Sequence, residues 1–207
     1  CYSRRELRNL GIKTLIDLRV SSETGRQSPL QKEFNVVHIP LATGDMENIL
    51  KGIREEKIKS DTVYRMVEQM NRDLIDKYTT EYRQIFDILL DKNSYPVVIH
   101  CSSGKGRTGI VSALVLAALG INEDIIMEDY RLSNDYFNIP SASKDAYQLP
   151  ARSQEAITTL FSAREDFLNA AKEEAERRYG DIDSYLQKGI GLNKDEIKRL
   201  RSILLSD

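Results

Sequence analysis

The 207-residue sequence has little of what cross-linked or metal-rich folds are built from. It contains two cysteines, two histidines and no tryptophan. Two cysteines, Cys1 and Cys101, cannot form a disulfide framework or a cysteine-rich zinc site, and His38 and His100 alone cannot form a histidine cluster. We therefore expect neither a metal nor another cofactor.

Long apolar runs and a large excess of one charge are also absent. The longest apolar stretch, near residues 110–121, is about half of the ~20 residues that a membrane-spanning helix needs. Lysine and arginine number 30 against 32 acidic residues, which gives a net charge of −2. We therefore expect no nucleic-acid partner and no stable insertion into a membrane.

Length and composition predict a single domain over residues 1–207, because 41% hydrophobic residues are sufficient for one substantial core. No signal peptide is visible. Residue 1 lies close to a predicted helix start, which is compatible with a further segment upstream of it. The compartment therefore stays open between cytoplasmic and secreted, and the oligomeric state is not indicated.

Hydrophobic periodicity predicts an α/β fold. Short β-branched runs predict strands at residues 14–20, 35–41 and 97–100. Helical periodicity predicts helices over residues 4–10, part of 47–59, 62–77, 82–90, 110–119, 122–135, 153–179 (as one long helix) and 197–204, with loops at 21–29 and 138–153. Strands followed by helices favour a central, mostly parallel sheet with helices on both faces.

The clearest chemical pattern lies between the third strand and the next helix. It reads His100-Cys101-Ser102-Ser103-Gly104-Lys105-Gly106-Arg107-Thr108-Gly109. In such a loop, successive backbone N–H groups and the free amides of the new helix converge and bind an anion. A thiol at Cys101 ionises easily there, and the guanidinium of Arg107 can hold two phosphate oxygens. The loop thus contains a nucleophile and an oxyanion clamp.

Two other interpretations of this loop fit less well. A Walker-type nucleotide loop requires glycine where Ile99 stands, and serine or threonine where Gly106 follows Lys105. A plain glycine-rich turn leaves the spacing of cysteine, arginine and threonine unexplained. Both interpretations are therefore set aside.

The spacing His-Cys-x5-Arg-Thr resembles the signature loop of cysteine-dependent phosphatases. In the form His-Cys-x-x-Gly-Lys-x-Arg-Thr-Gly it resembles bacterial atypical phosphatases of the protein tyrosine phosphatase B type. Shorter stretches extend the resemblance along the chain: Asp17-Leu18-Arg19, Glu81-Tyr82-Arg83-Gln84, Asp129-Tyr130, Ser133-Asn134-Asp135, Tyr179-Gly180 and Leu200-Arg201. The resemblance implies the cysteine-phosphatase fold, in which the region of residues 138–179 contributes to a lid. An ordinary covering helix fits the same pattern.

The resemblance also implies a role for each loop residue. Cys101 would form a phosphocysteine, Arg107 would hold the phosphate oxygens, and Thr108 would stabilise the thiolate. The remaining phosphate-binding residues would be Ser102, Ser103, Gly104, Lys105 and Gly106. The residues that surround this loop would include His100, Asp17 and Arg19. For Asp17 and Arg19, a structural ion pair and a substrate role are equally compatible with the sequence.

Cleavage of a phosphoester with a poor leaving group needs a general acid outside this loop. Asp45 is our candidate, because members of the resembled family carry their acid after a similar strand and a proline-containing turn. Asp17 and Asp129 are the competing aspartates. Asp45 could instead cap a helix or face solvent.

One departure from the family pattern bears on the substrate. The resembled tyrosine phosphatases often carry aspartate where this sequence has Gly106, and the glycine-lysine-glycine form looks like animal phosphoinositide 3-phosphatases. With Lys105 as a further cation, we expect a phosphotyrosine protein or a phosphoinositide as substrate, and inositol phosphates are a third possibility. A non-catalytic phosphate-recognition module and a rhodanese-like sulfur transferase are the competing classes.

Overall fold

A parallel three-stranded sheet lies at the centre of the fold. The structure, a computed structural model, describes residues 4–24, 32–139 and 146–205. Within these ranges the strands are β1 (Thr14–Asp17), β2 (Asn35–His38) and β3 (Val97–His100). The strand order is β2-β1-β3, and Asp17 at the end of β1 lies opposite His38 and His100. The carboxyl ends of all three strands therefore meet at one edge.

Helices make up most of the described chain. They are α1 (Arg4–Asn9), α2 (Ser21–Thr24), α3 (Met46–Arg54), α4 (Ser60–Lys77), α5 (Thr79–Leu89), α6 (Gly106–Leu119), α7 (Glu123–Tyr136), α8 (Ala151–Phe161), α9 (Glu165–Tyr179) and α10 (Lys194–Leu204). Shorter helical turns lie at Lys92–Ser94, Ala146–Gln148, Ile182–Ser184 and Tyr185–Gly189.

Successive residues of the central strand point to opposite faces of the sheet. Leu15 packs with Leu7 of α1 and with Phe34 on one face. Ile16 belongs to the larger cluster on the other face, together with buried residues of α4, α5 and α6 such as Leu74 and Phe86. The predicted α/β fold, with a parallel sheet between helices, is confirmed.

Some predicted boundaries were wrong. The first two strands end at residues 17 and 38, although the backbone beyond them still pairs: Leu18 N donates to His100 O, and Ile39 N donates to Asp17 O. The predicted loop at 21–29 begins with the helical turn α2, and its residues 25–29 lie outside the described ranges. Helix α6 begins at Gly106, four residues before the predicted start.

The largest correction concerns residues 153–179, which form two helices and not one. Helix α8 ends at Phe161, Ser162 and Arg164 adopt extended conformations, and α9 begins at Glu165. The joint between them is held from outside, because the Asn134 side chain donates to Ala163 O at 2.9 Å and accepts from Ala163 N at 2.7 Å. Hydrophobic periodicity continues through the joint, so the sequence pattern does not mark it.

Candidate active site

The glycine-rich loop connects β3 to the buried helix α6, as the sequence predicts. Cys101 directly follows β3, and α6 begins at Gly106. Gly104 has a φ of +67°, a left-handed conformation that L side chains rarely adopt. This turn brings the loop back toward the first amides of α6, where an anion can bind.

A second glycine lets α7 approach the loop. A Cβ at Gly109 would lie 2.7 Å from the ring of Tyr130, which is closer than real Cβ contacts allow. Tyr130 is 4% exposed, and its burial raises the pKa of the phenol. The Asp129-Tyr130 pair noted in the sequence thus supplies a ring that packs on the first turn of α6.

The Cys101 thiol lies almost completely inside the protein, at 8% exposure. Burial opposes ionisation. Contacts with the side chain and backbone of Thr108, the charge of Arg107 and the Ser103 amide outweigh burial, so the pKa of the thiol is lowered. Thr108 Oγ1 is itself buried and has no hydrogen-bond partner among the described residues.

Arg107 is held by the ends of two strands and by one carboxylate. Its Nη1 donates to the carbonyl oxygens of Leu18 and Leu41, each at 3.2 Å. Nη1 and Nη2 also donate to the two carboxylate oxygens of Glu23, each at 2.6 Å. The guanidinium interacts with the Cys101 thiol as well. Glu23 therefore fixes the orientation of the guanidinium beside the sulfur.

Glu23 is a residue of the site that the sequence pattern did not identify. Besides Arg107, it accepts a hydrogen bond from Ser102 Oγ at 2.6 Å. Burial raises the pKa of Glu23, but the hydrogen bonds from Arg107 and Ser102 and the amide of Val20 lower it to about 2. The only available signal was its position just after β1, because neighbouring parallel strands end at the same edge of the sheet.

Asp17 and Arg19 form an ion pair at that edge. Arg19 Nε and Nη2 donate to the Asp17 carboxylate at 2.9 and 2.7 Å, and Asp17 is 5% exposed. Burial raises the pKa of Asp17, but its hydrogen bonds from Arg19 lower it overall. His100 Nδ1 lies 3.9 Å from Asp17 Oδ1, and burial lowers the pKa of this imidazole. The geometry is that of a structural ion pair below the loop.

Asp45 lies on the loop between β2 and α3 and caps α3. Its carboxylate accepts from Asn48 N at 3.0 Å and from Asn48 Nδ2 at 2.6 Å. Thr43 and Met46, on either side of Asp45, line a cavity that also contains the Cys101 thiol, whereas Asp45 is not among the lining residues. Tyr78 steadies this loop, because its hydroxyl donates to Ala42 O and accepts from Ala42 N, both at 3.1 Å.

Lys105 is buried against the joint between α8 and α9. It is 5% exposed, and its Nζ donates to Leu160 O at 3.2 Å and to Ser162 O at 2.7 Å. Burial lowers the pKa of Lys105 to about 7. Lys105 therefore links the glycine-rich loop to α8 and to the joint that follows it, a contact that the sequence alone did not indicate.

These segments enclose a small cavity of about 70 Å³ beside the thiol. Its loop residues are Cys101, Ser103, Lys105, Gly106 and Arg107, and its other walls are Thr43, Met46, Val67, Met70, Asn71, Leu74, Tyr130, Leu160 and Phe161. The predicted nucleophile, the predicted guanidinium and the predicted cation thus share one pocket, while Asp17, Arg19 and Asp45 lie around it.

Residues 4–24, 32–139 and 146–205 contain no group of three or more histidine, cysteine, aspartate or glutamate side chains that could hold a metal ion. Over the same ranges, no helix has the length and apolar character needed to cross a membrane.

The parallel sheet, the anion-binding loop at its carboxyl edge and the buried thiol beside a fixed guanidinium define the class of protein as an α/β phosphatase. The sequence model described as the tyrosine phosphatase family matches residues 3–206, and the chain belongs to this family. It is similar to the triple specificity protein phosphatase PtpB of Mycobacterium tuberculosis, at 29% identity over 98% of this chain and 85% of that protein. It is also similar to a tyrosine-protein phosphatase of Nostoc commune, at 25% identity over 96% of this chain and 68% of that protein.

Proposed function

We propose that the protein hydrolyses phosphomonoesters through a phosphocysteine intermediate, with phosphotyrosine proteins, phosphoinositides or both as substrates. The observation that supports this most directly is the Cys101 thiol, whose pKa is lowered, in one cavity with Arg107. The relatives named as tyrosine-protein and triple specificity phosphatases support a phosphorylated substrate.

In the first step the Cys101 thiolate attacks phosphorus, the S–P bond forms, and the bond to the leaving oxygen breaks. Arg107 and the amides of residues 102–107 hold the three equatorial oxygens, where negative charge is concentrated. In the second step water attacks phosphorus, the S–P bond breaks, and Thr108 stabilises the departing thiolate.

Asp45 is the proposed general acid of the first step and the base that accepts the proton of water in the second. Its position between Thr43 and Met46, which both line the cavity, supports this role. The carboxylate caps α3 through Asn48, so it must leave this cap to reach the leaving oxygen. Asp17 is less suited, because it is 5% exposed and a charged partner, Arg19, holds both of its carboxylate oxygens.

The first test measures phosphate release from p-nitrophenyl phosphate by the wild-type protein and by Cys101→Ser. Wild-type release is expected, and the variant should be inactive while still binding a phosphate ester, because a serine hydroxyl is a far weaker nucleophile. Release by both proteins at similar rates would refute the cysteine mechanism. No release by the wild type would favour a recognition module or sulfur transfer instead.

The acid is tested by its dependence on the leaving group. Asp45→Asn should slow hydrolysis of a phosphotyrosine peptide more than hydrolysis of an activated aryl phosphate, and it should flatten the fall of the pH–rate profile between acidic and neutral pH. Asp17→Asn and Asp129→Asn are the matched controls. If one of these controls shows the pattern and Asp45→Asn does not, the assignment to Asp45 is wrong.

Gly106 provides the test of substrate class. A Cβ added there meets no described atom within 4 Å, so a side chain fits. We expect Gly106→Asp to reduce phosphoinositide turnover about fivefold relative to a phosphotyrosine peptide, since the new charge repels the more anionic substrate. Gly106→Asn has the same size without the charge and should leave the ratio unchanged. If Gly106→Asp leaves the ratio of phosphoinositide to phosphotyrosine turnover unchanged, positive charge in the pocket does not select phosphoinositides.

A further inference from the structure

Helix α4 carries a buried side-chain amide whose nitrogen is unpaired among the described residues. Asn71 interrupts the apolar core-facing stripe of α4 between Val67 and Leu74 and is 3% exposed. Its Nδ2 has no hydrogen-bond partner among the residues that the structure describes. Because folding gains nothing from a buried donor that is left unpaired, such a group calls for a partner beyond these residues.

The location of Asn71 indicates what that partner is. Asn71 lines the catalytic cavity together with Cys101, so a substrate at the thiol occupies the space beside it. The cavity walls next to it on α4 and α8, Val67, Met70, Leu74, Leu160 and Phe161, have apolar side chains that offer no acceptor. A molecule that binds beside the Cys101 thiol is therefore positioned to supply the oxygen.

The two cationic side chains that line the cavity already have partners in the protein. Lys105 donates to two backbone carbonyls, and Arg107 is fixed by Glu23 beside the sulfur. The oxygens of the transferred phosphoryl group go to the loop amides and to Arg107 in the proposed reaction. The oxygens of the alcohol part of the substrate have no such partner. One of them is therefore the acceptor that fits Asn71.

We propose that Asn71 is a specificity-determining residue whose Nδ2 donates a hydrogen bond to a hydroxyl or ether oxygen next to the ester oxygen of the substrate. This inference rests on the proposed function. A polyol phosphate such as an inositol phosphate carries such an oxygen, whereas a plain aryl phosphate does not. An aryl substrate leaves the donor unpaired, and a site built around a buried donor disfavours the analogue that lacks the acceptor.

The test uses two substrates that differ only in this oxygen, phenyl phosphate and 2-hydroxyphenyl phosphate. We expect the wild type to prefer the hydroxylated ester about tenfold in kcat/KM, as one hydrogen bond provides. Asn71→Leu removes the donor at similar size, and Asn71→Ala removes it without adding bulk. Both variants should reduce the preference to about one. Comparing the ratio between proteins cancels the different intrinsic reactivities of the two esters.

Asn169→Leu is the matched control, because Asn169 lines a separate apolar cavity on α9. It should keep the wild-type ratio. No preference in the wild type, or the same ratio in wild type and Asn71 variants, would overturn the inference. An ordered water that alone satisfies Asn71 would give this second result. Failure of the wild type to hydrolyse either ester would instead refute the proposed function, so the two failures are distinguishable.

Discussion

Two arginine–glutamate pairs have nearly the same geometry and lie in different surroundings. At the start of α6, Arg107 Nη1 and Nη2 each lie 2.6 Å from a Glu23 oxygen, and the arginine side chain is 8% exposed. Between α5 and α10, Arg83 Nη1 and Nη2 lie 3.0 and 2.6 Å from the oxygens of Glu196, and its side chain is 31% exposed.

The difference lies in what else each pair touches. Arg83 also donates to Gly191 O at 2.7 Å, and Glu196 completes the capping box of α10 by accepting from Asn193 N at 2.9 Å. Those contacts join helices. Arg107, in contrast, interacts with the Cys101 thiol and lines the catalytic cavity. The same pair of hydrogen bonds thus joins helices in one region and orients a guanidinium beside the Cys101 thiol in the other.

The largest expected difference follows from replacing each arginine with lysine. Arg107→Lys should lower kcat/KM for an aryl phosphate by about 10³, because a point charge cannot hold two equatorial oxygens in a fork. Arg83→Lys should leave kcat/KM within about twofold of wild type. Steady-state assays of both variants measure the contrast. Near-normal rates for Arg107→Lys would show that the fork geometry does not matter.

The glutamates should differ less. Glu23→Gln keeps one acceptor oxygen for Arg107 but loses the charge, so we expect kcat to fall about tenfold through a less fixed guanidinium. Glu196→Gln should not change kcat. Equal turnover in wild type and Glu23→Gln would mean that the loop alone positions Arg107.

The pH dependence of stability is expected to differ between the wild type and Glu23→Gln. The pKa of Glu23 is lowered from 4.5 to about 2 in the folded protein, so between these values the unfolded chain binds more protons. The stabilisation from Glu23 is therefore complete above pH 4.5 and is lost as the pH falls toward 2. Urea unfolding at pH 5 and pH 3 should show a smaller loss for Glu23→Gln than for wild type. The same loss in both would contradict the role of this carboxylate.

The smallest effect is expected at the partly buried pair between α5 and α10. Arg83→Gln should cost ~0.5–1 kcal/mol of unfolding free energy, which corresponds to a fall of ~2 °C in Tm for a chain of this size. Thermal unfolding followed by circular dichroism measures it. A shift above ~5 °C would place the Arg83 pair among the main contributions to stability.

The sequence predicted the part of the site that is contiguous in the chain. Cys101 follows β3 and Arg107 lies in the first turn of α6, only six positions later, so residue types and spacing were sufficient to predict a phosphatase. The buried sheet and α6 followed from apolar runs on either side of the glycine-rich loop. Local patterns of this kind do not require knowledge of which elements meet.

The residues that sequence analysis missed come from distant segments. Glu23 reaches Arg107 across 84 positions of the chain, and only the order of the parallel strands brings them together. Asn71 is marked in the sequence only as a polar residue on an apolar stripe. The joint at residues 162–164 is held by Asn134 and Lys105, which lie in other segments. It contains no glycine or proline that would predict a helix end from the local sequence.

The strand order also has a consequence for how the chain is made. Strand β1 is the central strand, but its neighbour β3 begins 83 residues later in the sequence, at Val97. While the ribosome synthesises this protein from its amino end, one edge of β1 stays unpaired until β3 has emerged. An open edge invites pairing with other chains, and such long-range contacts form slowly. Cys101 follows β3 immediately, so the nascent chain can complete its sheet only at the stage when Cys101 is also being synthesised.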